Sequence, residues 1–303
     1  MAEICVDIEI TLVIYFEVIS VIILAGPEFI KLYGDIKKGL IMNKILKVWL
    51  LLLLYVIGYF GICIGTGRQE FLWLELSFLS LIVSVVLLIK NHFPKRKNLF
   101  LAGILTLLYL VSNIYRLNAF TVIQGIILFL SCCATCSVFS KYRKNSLHWI
   151  QNEKKRDVAI SILIGILCGI VWGAINYFLM RGSNPVVGTN VFKALITALN
   201  PAIMEEIAYR CLFFAFCLSM ADGELESKFQ KFTGWCMMII PHILPHVLFS
   251  ITEGILAWLV YFVLYIAIFG FVFAFLQKKR DIASAMIAHG IVDWIRFCIF
   301  GLP

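Results

Sequence analysis

Polar sequence is scarce in this chain. Asp, Glu, Lys and Arg together make up 15% of its 303 residues, and the longest polar stretch is a short loop. No separate soluble domain is therefore expected. Hydrophobic residues reach 62% and the mean hydropathy is +0.96, more apolar surface than a water-soluble fold of this size can bury. Other absences narrow the reading further. The opening MAEICVDIEI is acidic rather than basic, so a cleavable signal peptide is not expected. No internal repeat and no low-complexity linker is visible. Cys132, Cys133 and Cys136 contain one CxxC spacing but have no second pair and no nearby histidine, so they read as apolar filler rather than metal ligands. Most of the ten cysteines lie inside apolar runs, where a thiol behaves as a small hydrophobe.

What is present is a series of apolar runs, each long enough to cross a hydrocarbon core of roughly 30 Å. The expected spans lie near 9–26, 46–66, 71–89, 98–115, 118–140, 158–180, 191–220, 232–251, 254–277 and 282–300. The expected fold is thus all-α: a polytopic transmembrane helical bundle of about ten helices, or eight to ten allowing for merged spans. The net charge of +8 does not indicate nucleic acid, because the basic residues fall in short loops after every second span. Lys37, Lys38, Lys44 and Lys47 follow the first, and Lys90, Lys95, Arg96 and Lys97 the third. Lys141, Arg143, Lys144, Lys154, Lys155 and Arg156 follow the fifth, Lys228 and Lys231 the seventh, and Lys278, Lys279 and Arg280 the ninth. Short loops rich in Lys and Arg stay in the cytoplasm, which puts both termini outside. A bacterial plasma membrane is the favoured location.

Charge inside the apolar runs is the informative exception, since a charged side chain at mid-helix costs roughly 2.5–3.5 kcal/mol on insertion scales. Glu17 and Glu75 stand near helix ends and are expected to reach the interface. The second half differs: Glu205, Glu206 and Arg210 share one span, His242 and His246 the next, and His289 and Asp293 the last. Glu206 and Arg210 are four apart and can pair on one face, while Glu205 is turned about 100° from Glu206. It is the carboxylate less engaged by the arginine, suited to act as a general base toward water. His289 and Asp293 are also four apart, so the carboxylate can orient the imidazole or a water beside it. Counting about 1.5 Å per residue, these groups reach compatible depths for one pocket, expected to open to the cytoplasm. His246, just after Pro245, reads equally as a site residue or as a core histidine satisfying backbone groups near the proline. The division expected is 1–157, an N-terminal membrane region without an assigned role, and 158–303, a catalytic membrane core.

These residues resemble a known family. Glu205-Glu206-Ile-Ala-Tyr-Arg210 is similar to the EExxxR motif of the CAAX prenyl protease type II and bacteriocin-processing intramembrane proteases. His289-Gly-Ile-Val-Asp293 and its lead-in GFVFAFLQKKRDIASAMIAH resemble that family's last motif. The middle motif, Phe followed four residues later by His, is matched imperfectly: Met238 precedes His242, and His242 precedes His246. Either histidine can therefore be the middle one. Cys211 stands where many members have glycine.

The resemblance covers roughly residues 158–300 and implies an intramembrane endopeptidase acting on a membrane-associated peptide or a prenylated or otherwise lipidated protein. Glu205 would activate water, Glu206 and Arg210 would hold it in place, the middle histidine would stabilise the oxyanion, and His289 with Asp293 would complete the site. Both metal-free glutamate and zinc mechanisms fit the resemblance. The metal-free one is favoured, because no HExxH string occurs and a zinc set of Glu205, His242 and His289 would have to come from three helices. The alternative reading is a non-enzymatic membrane protein of the same fold: a proton-coupled transporter, a scaffold or a bacteriocin-immunity protein.

Overall fold

The computed structural model describes residues 44–303 except Glu153, Ser183 and Ile251, and all its regular structure is helical. The first expected span, 9–26, and Glu17 lie outside the described residues. Helices α1 (Lys44–Gly65), α2 (Gln69–Asn91), α3 (Arg96–Ser112), α4 (Ala119–Lys141) and α5 (Lys155–Met180) precede the carboxylates. The chain continues through α6 (Val191–Glu206), a π-helical turn (Ile207–Cys211) and α7 (Leu212–Met220). Then come α8 (Lys228–Ile243), a 3₁₀ turn (Leu244–His246), α9 (Gly254–Tyr265), a second π turn (Ile266–Gly270), α10 (Phe271–Lys279) and α11 (Ile282–Phe300).

Six stretches are long and apolar enough to cross a membrane: α1, α2, α4, α5, the continuous run α9–α10, and α11. This is a multi-pass membrane protein. The expected spans near 98–115, 191–220 and 232–251 also fall on helices, but α3 has only 17 residues, α8 only 16, and a π turn divides α6 from α7. The outward faces carry exposed apolar side chains, among them Leu54 and Ile57 on α1, Leu163 and Leu167 on α5, and Leu256 and Val263 on α9. In water such faces would be a liability; facing acyl chains they cost nothing.

At the centre is the α6–π–α7 rod. From Ile207 to Ser219 every residue is buried, ringed by α1, α2, α4 and α8. Side-chain caps fix where several of these helices begin. Asn190 accepts from the backbone N–H groups of Phe192 and Lys193 to start α6. Ser227 and Gln230 form a reciprocal capping box at the start of α8. Buried Asp281 accepts from the Ser284 N–H at 2.9 Å to start α11, and from the Ser161 hydroxyl of α5 at 2.5 Å. Such caps each contribute about 1 kcal/mol.

Helix α11, which carries His289 and Asp293, lies against a stripe of glycines on α5. A Cβ on Gly169 would come within 2.6 Å of the Ile291 Cβ and 2.9 Å of the Ala288 carbonyl oxygen. Small residues let helices approach closely where lipid offers no hydrophobic drive. The first helices also have a defined structural role, because they hold the end of α8 and the segment after it. The Tyr55 hydroxyl donates to the Pro241 carbonyl at 3.0 Å, Gln69 Nε2 to the Pro245 carbonyl at 2.7 Å, and Tyr59 to that of Val247. Glu75 departs from expectation: its carboxyl lies against Gly58 of α1, and its Oε2 is buried with no hydrogen-bond partner among the described residues.

Gly169→Leu is expected to lower stability by about 1–3 kcal/mol through overpacking of the α5–α11 contact. Gly61→Ala, where an added Cβ meets nothing within 4 Å, should leave stability close to wild type. Thermal unfolding of the purified protein in detergent micelles reads both.

Candidate active site

The first π turn follows directly on Glu206, and π turns inside α-helices frequently sit at functional sites. Their wider spacing leaves carbonyls in need of other donors. Gln277 Nε2 reaches the Glu206 carbonyl at 3.2 Å, and the Ser80 hydroxyl reaches that of Ala208 at 3.1 Å. In the second π turn the Gly270 carbonyl accepts from Arg210 at 2.9 Å and that of Ile268 from the Trp172 indole at 2.6 Å.

Arg210 is wholly buried and its donors are answered on three sides. Nε donates to Glu206 Oε1 at 3.1 Å, one terminal nitrogen to the Gly270 carbonyl, and the other to His242 Nδ1 at 2.7 Å. A guanidinium only donates, so His242 Nδ1 accepts and the ring of a neutral His242 carries its proton on Nε2. That Nε2–H points at Glu205 Oε2, 2.6 Å away. Glu206 takes two more donors: His289 Nδ1 at 2.7 Å to Oε1 and Gln277 Nε2 at 2.7 Å to Oε2. The division of labour expected from helical spacing is present, since Glu206 engages the guanidinium and Glu205 does not.

Glu205, by contrast, faces a cavity of about 400 Å³ whose wall it shares with His242, His246, His289 and Asp293. His246 Nε2 and His289 Nε2 lie 3.7 and 3.6 Å from Glu205 Oε2. Asp293 Oδ2 stands 3.4 Å from His289 Nε2, and Arg296 Nε is 3.2 Å from Asp293 Oδ1. Phe273 stacks on the His289 ring with centroids 4.7 Å apart. All seven residues singled out in the sequence converge on one centre. For His246 the geometry favours a place in the site over a purely structural one: it lies 3.4 Å from His242 Nε2 and packs edge-on against Trp73.

The donor atoms that converge within 4.8 Å of one another, close enough to consider a metal ion, belong to Glu205, His242 and His246. His289 donates its Nδ1–H to Glu206, the arrangement that leaves Nε2 as the coordinating atom of a ligating histidine, and that Nε2 stands 3.6 Å from Glu205 Oε2. One expectation changes. The cavity does not run toward the basic loops. Its lining passes from Phe273 and His289 to Gln69, Asn176, Met180 and Pro303, at the other ends of their helices. Depth counted along each helix could not reveal this, because the opening depends on which side is plugged. Arg210 and Gln277 fill the space toward the basic end. Gln277 was missed in the sequence, although an amide closing the apolar run GFVFAFLQ was a visible signal. The π turns had no comparable signal.

A helical membrane protein holding a carboxylate–imidazole centre at the wall of an intramembrane cavity is the class these features define. Residues 187–295 match the type II CAAX prenyl endopeptidase Rce1-like family, the family that the motifs resemble. That stretch contains all seven site residues. Neither a curated protein nor a solved structure matches the chain.

Removing the buried cation should be costly. Arg210→Met removes the cation paired with Glu206 in a dry interior, a loss of about 3–5 kcal/mol, whereas Glu205→Gln at the cavity wall is expected to cost far less. Melting temperatures of the two variants in the same detergent test this ordering.

Proposed function

We propose that the protein is an intramembrane endopeptidase in which Glu205 activates a water for attack on a peptide bond. The observation that carries this reading is the placement of Glu205 Oε2 at the cavity wall, 2.6 Å from His242 Nε2 and within 4 Å of His246 and His289. The match of residues 187–295 to a prenyl endopeptidase family points the same way.

Glu205 takes a proton from water as the oxygen adds to the scissile carbonyl carbon. The Nε2–H of His242, held in that tautomer by Arg210, donates to the oxyanion that forms. The tetrahedral intermediate then collapses, the C–N bond breaks, and the proton held by Glu205 passes to the departing amine. Carboxylic acid and amine are the two products, and Glu205 is restored. Glu206 acts as anchor: its two oxygens are occupied by Arg210, His289 and Gln277, which fixes the helix that presents Glu205. His289 and Asp293 complete the water-binding site from the opposite wall.

A zinc ion would find donors of the right type in Glu205, His242 and His246, where it would polarise the carbonyl or the water. The hydrogen bonds argue against that ligand set. His242 gives its Nδ1 lone pair to Arg210, so ligation through Nε2 would need an imidazolate or the loss of that bond. We therefore favour the metal-free glutamate mechanism. The substrate class is a membrane-associated or lipidated polypeptide, in keeping with a site enclosed by helices, and the setting we favour is a bacterial plasma membrane.

Glu205→Gln is expected to abolish peptide hydrolysis, a loss of at least about 10²–10⁴ for the missing base, while melting like wild type. Full turnover in that variant overturns the assignment. His242→Ala should lower kcat more than His246→Ala, because only His242 has its donor fixed by the guanidinium. In the metal test, purified protein treated with a chelator should keep its activity and contain zinc well below one equivalent by elemental analysis; activity lost and then restored by zinc would reverse the preference.

A further inference from the structure

The charged loops define two ends of the bundle. Lys44 at the start of α1 and Lys90 at the end of α2 both pair with Asp222, after α7. Lys144, beyond α4, pairs with Glu226, and Asn145 donates to the Gly223 carbonyl. The backbone N–H of Ile282, the first residue of α11, donates to the His148 carbonyl. The basic loops after α2, α4, α7 and α10 are thus gathered at one end, the end that Lys/Arg bias assigns to the cytoplasm.

The cavity is closed toward that end. Beneath His242 and Glu205 the Arg210 guanidinium bonds the Gly270 carbonyl, and Gln277 bridges α10 to Glu206. Gly270 itself is pressed against Ile239 and Ile243 of α8, so closely that an added Cβ would stand 2.7 Å from Ile239. In the other direction the cavity is lined by Gln69, at the first residue of α2, by Asn176 and Met180 in the last turns of α5, by Arg296 and by Pro303. Those positions all belong to the end away from the basic loops. The wall there alternates amides with aromatic rings, Trp73, Tyr265 and Phe269 among them. Such a surface offers hydrogen bonds to an extended backbone and apolar seats for its side chains.

We infer that substrate reaches Glu205 from the extracytoplasmic face, and that the substrate is a polypeptide segment already exported or emerging from the outer leaflet rather than a cytosolic C-terminus. The inference rests on the peptidase reading for its substrate class, and on the cavity and the loop charges for its direction.

Sidedness is tested without turnover. Asn176→Cys on the cavity wall, Met180→Cys at its mouth and Lys144→Cys on the basic face are made in the full chain. Each is exposed to a membrane-impermeant maleimide in sealed right-side-out and inverted vesicles, with the ten native cysteines of the wild-type chain setting the background. Asn176→Cys and Met180→Cys should label in right-side-out vesicles and lose that labelling in inverted ones, and Lys144→Cys should do the reverse. Met180→Cys decides the question if Asn176→Cys does not accumulate. Labelling of the α5 positions from the same side as Lys144, or from the interior only, overturns the inference. Turnover in Glu205→Gln would overturn the peptidase reading and leave this labelling pattern unchanged, so the two failures are distinguishable.

Discussion

A guanidinium with no exposure to solvent, in the middle of a helical membrane bundle, must have its donors answered by protein. Arg210 meets that demand by drawing three elements to itself. Its own helix supplies Glu206, the second π turn supplies the Gly270 carbonyl, and α8 supplies the His242 ring. None of these partners is interchangeable with lipid or water, so the positions of α8 and of the α9–α10 run relative to the central rod follow from satisfying one side chain. Buried ion pairs are weak evidence for stability, because desolvation offsets most of the Coulomb gain. Their better-attested effect is to specify a single arrangement. Here the arrangement specified is the one in which the Nε2–H of His242 faces Glu205.

Seen from that constraint, the two adjacent glutamates have different lives. Glu206 is saturated by an arginine, a histidine and an amide, and has no capacity left for a reacting molecule. Glu205 accepts a strong hydrogen bond on one oxygen and borders open space with the rest of its carboxylate. Adjacent residues on a helix point about 100° apart, which is what allows one carboxylate to be enclosed by donors while its neighbour borders the cavity. The helices before α5 belong to the same construction. Tyr55 and Gln69 take carbonyls at the end of α8, and Ser77 bonds the Tyr209 hydroxyl at 2.7 Å inside the first π turn. They brace the histidine-bearing segment from outside the stretch that carries the motifs.

Much of this was legible in the residues. Long apolar runs made the helical membrane fold readable, and the i,i+4 spacings of Glu206 with Arg210 and His289 with Asp293 made their pairing readable, because both follow from helix geometry alone. The place of His246 was not, because Pro245 and the 3₁₀ turn at Leu244–His246 interrupt the helix between it and His242, so the four-residue spacing alone did not fix its ring beside Glu205. Glu75 misled for a related reason. Its distance along the helix suggested a route to the interface, whereas its direction across the helix sends it against Gly58. Spacing along one element is encoded locally; the neighbour that fills the space beside it is not.

The direction of the cavity is the case where that distinction matters for function. Every site residue lies at a depth that would serve an opening at either end, so depth carries no information about access. What decides is the position of bulky, bonded side chains. Arg210 and Gln277 stand on the side of the basic loops, where they make the hydrogen bonds that hold the centre together. Access from that side would require parting those bonds and exposing a buried cation. On the other side the wall carries amides and aromatic rings at helix ends, clear of that network. The residues that organise the carboxylate centre are therefore also the ones that close one of its two approaches, and one set of hydrogen bonds fixes both the arrangement of Glu205 with His242 and the end at which the cavity opens.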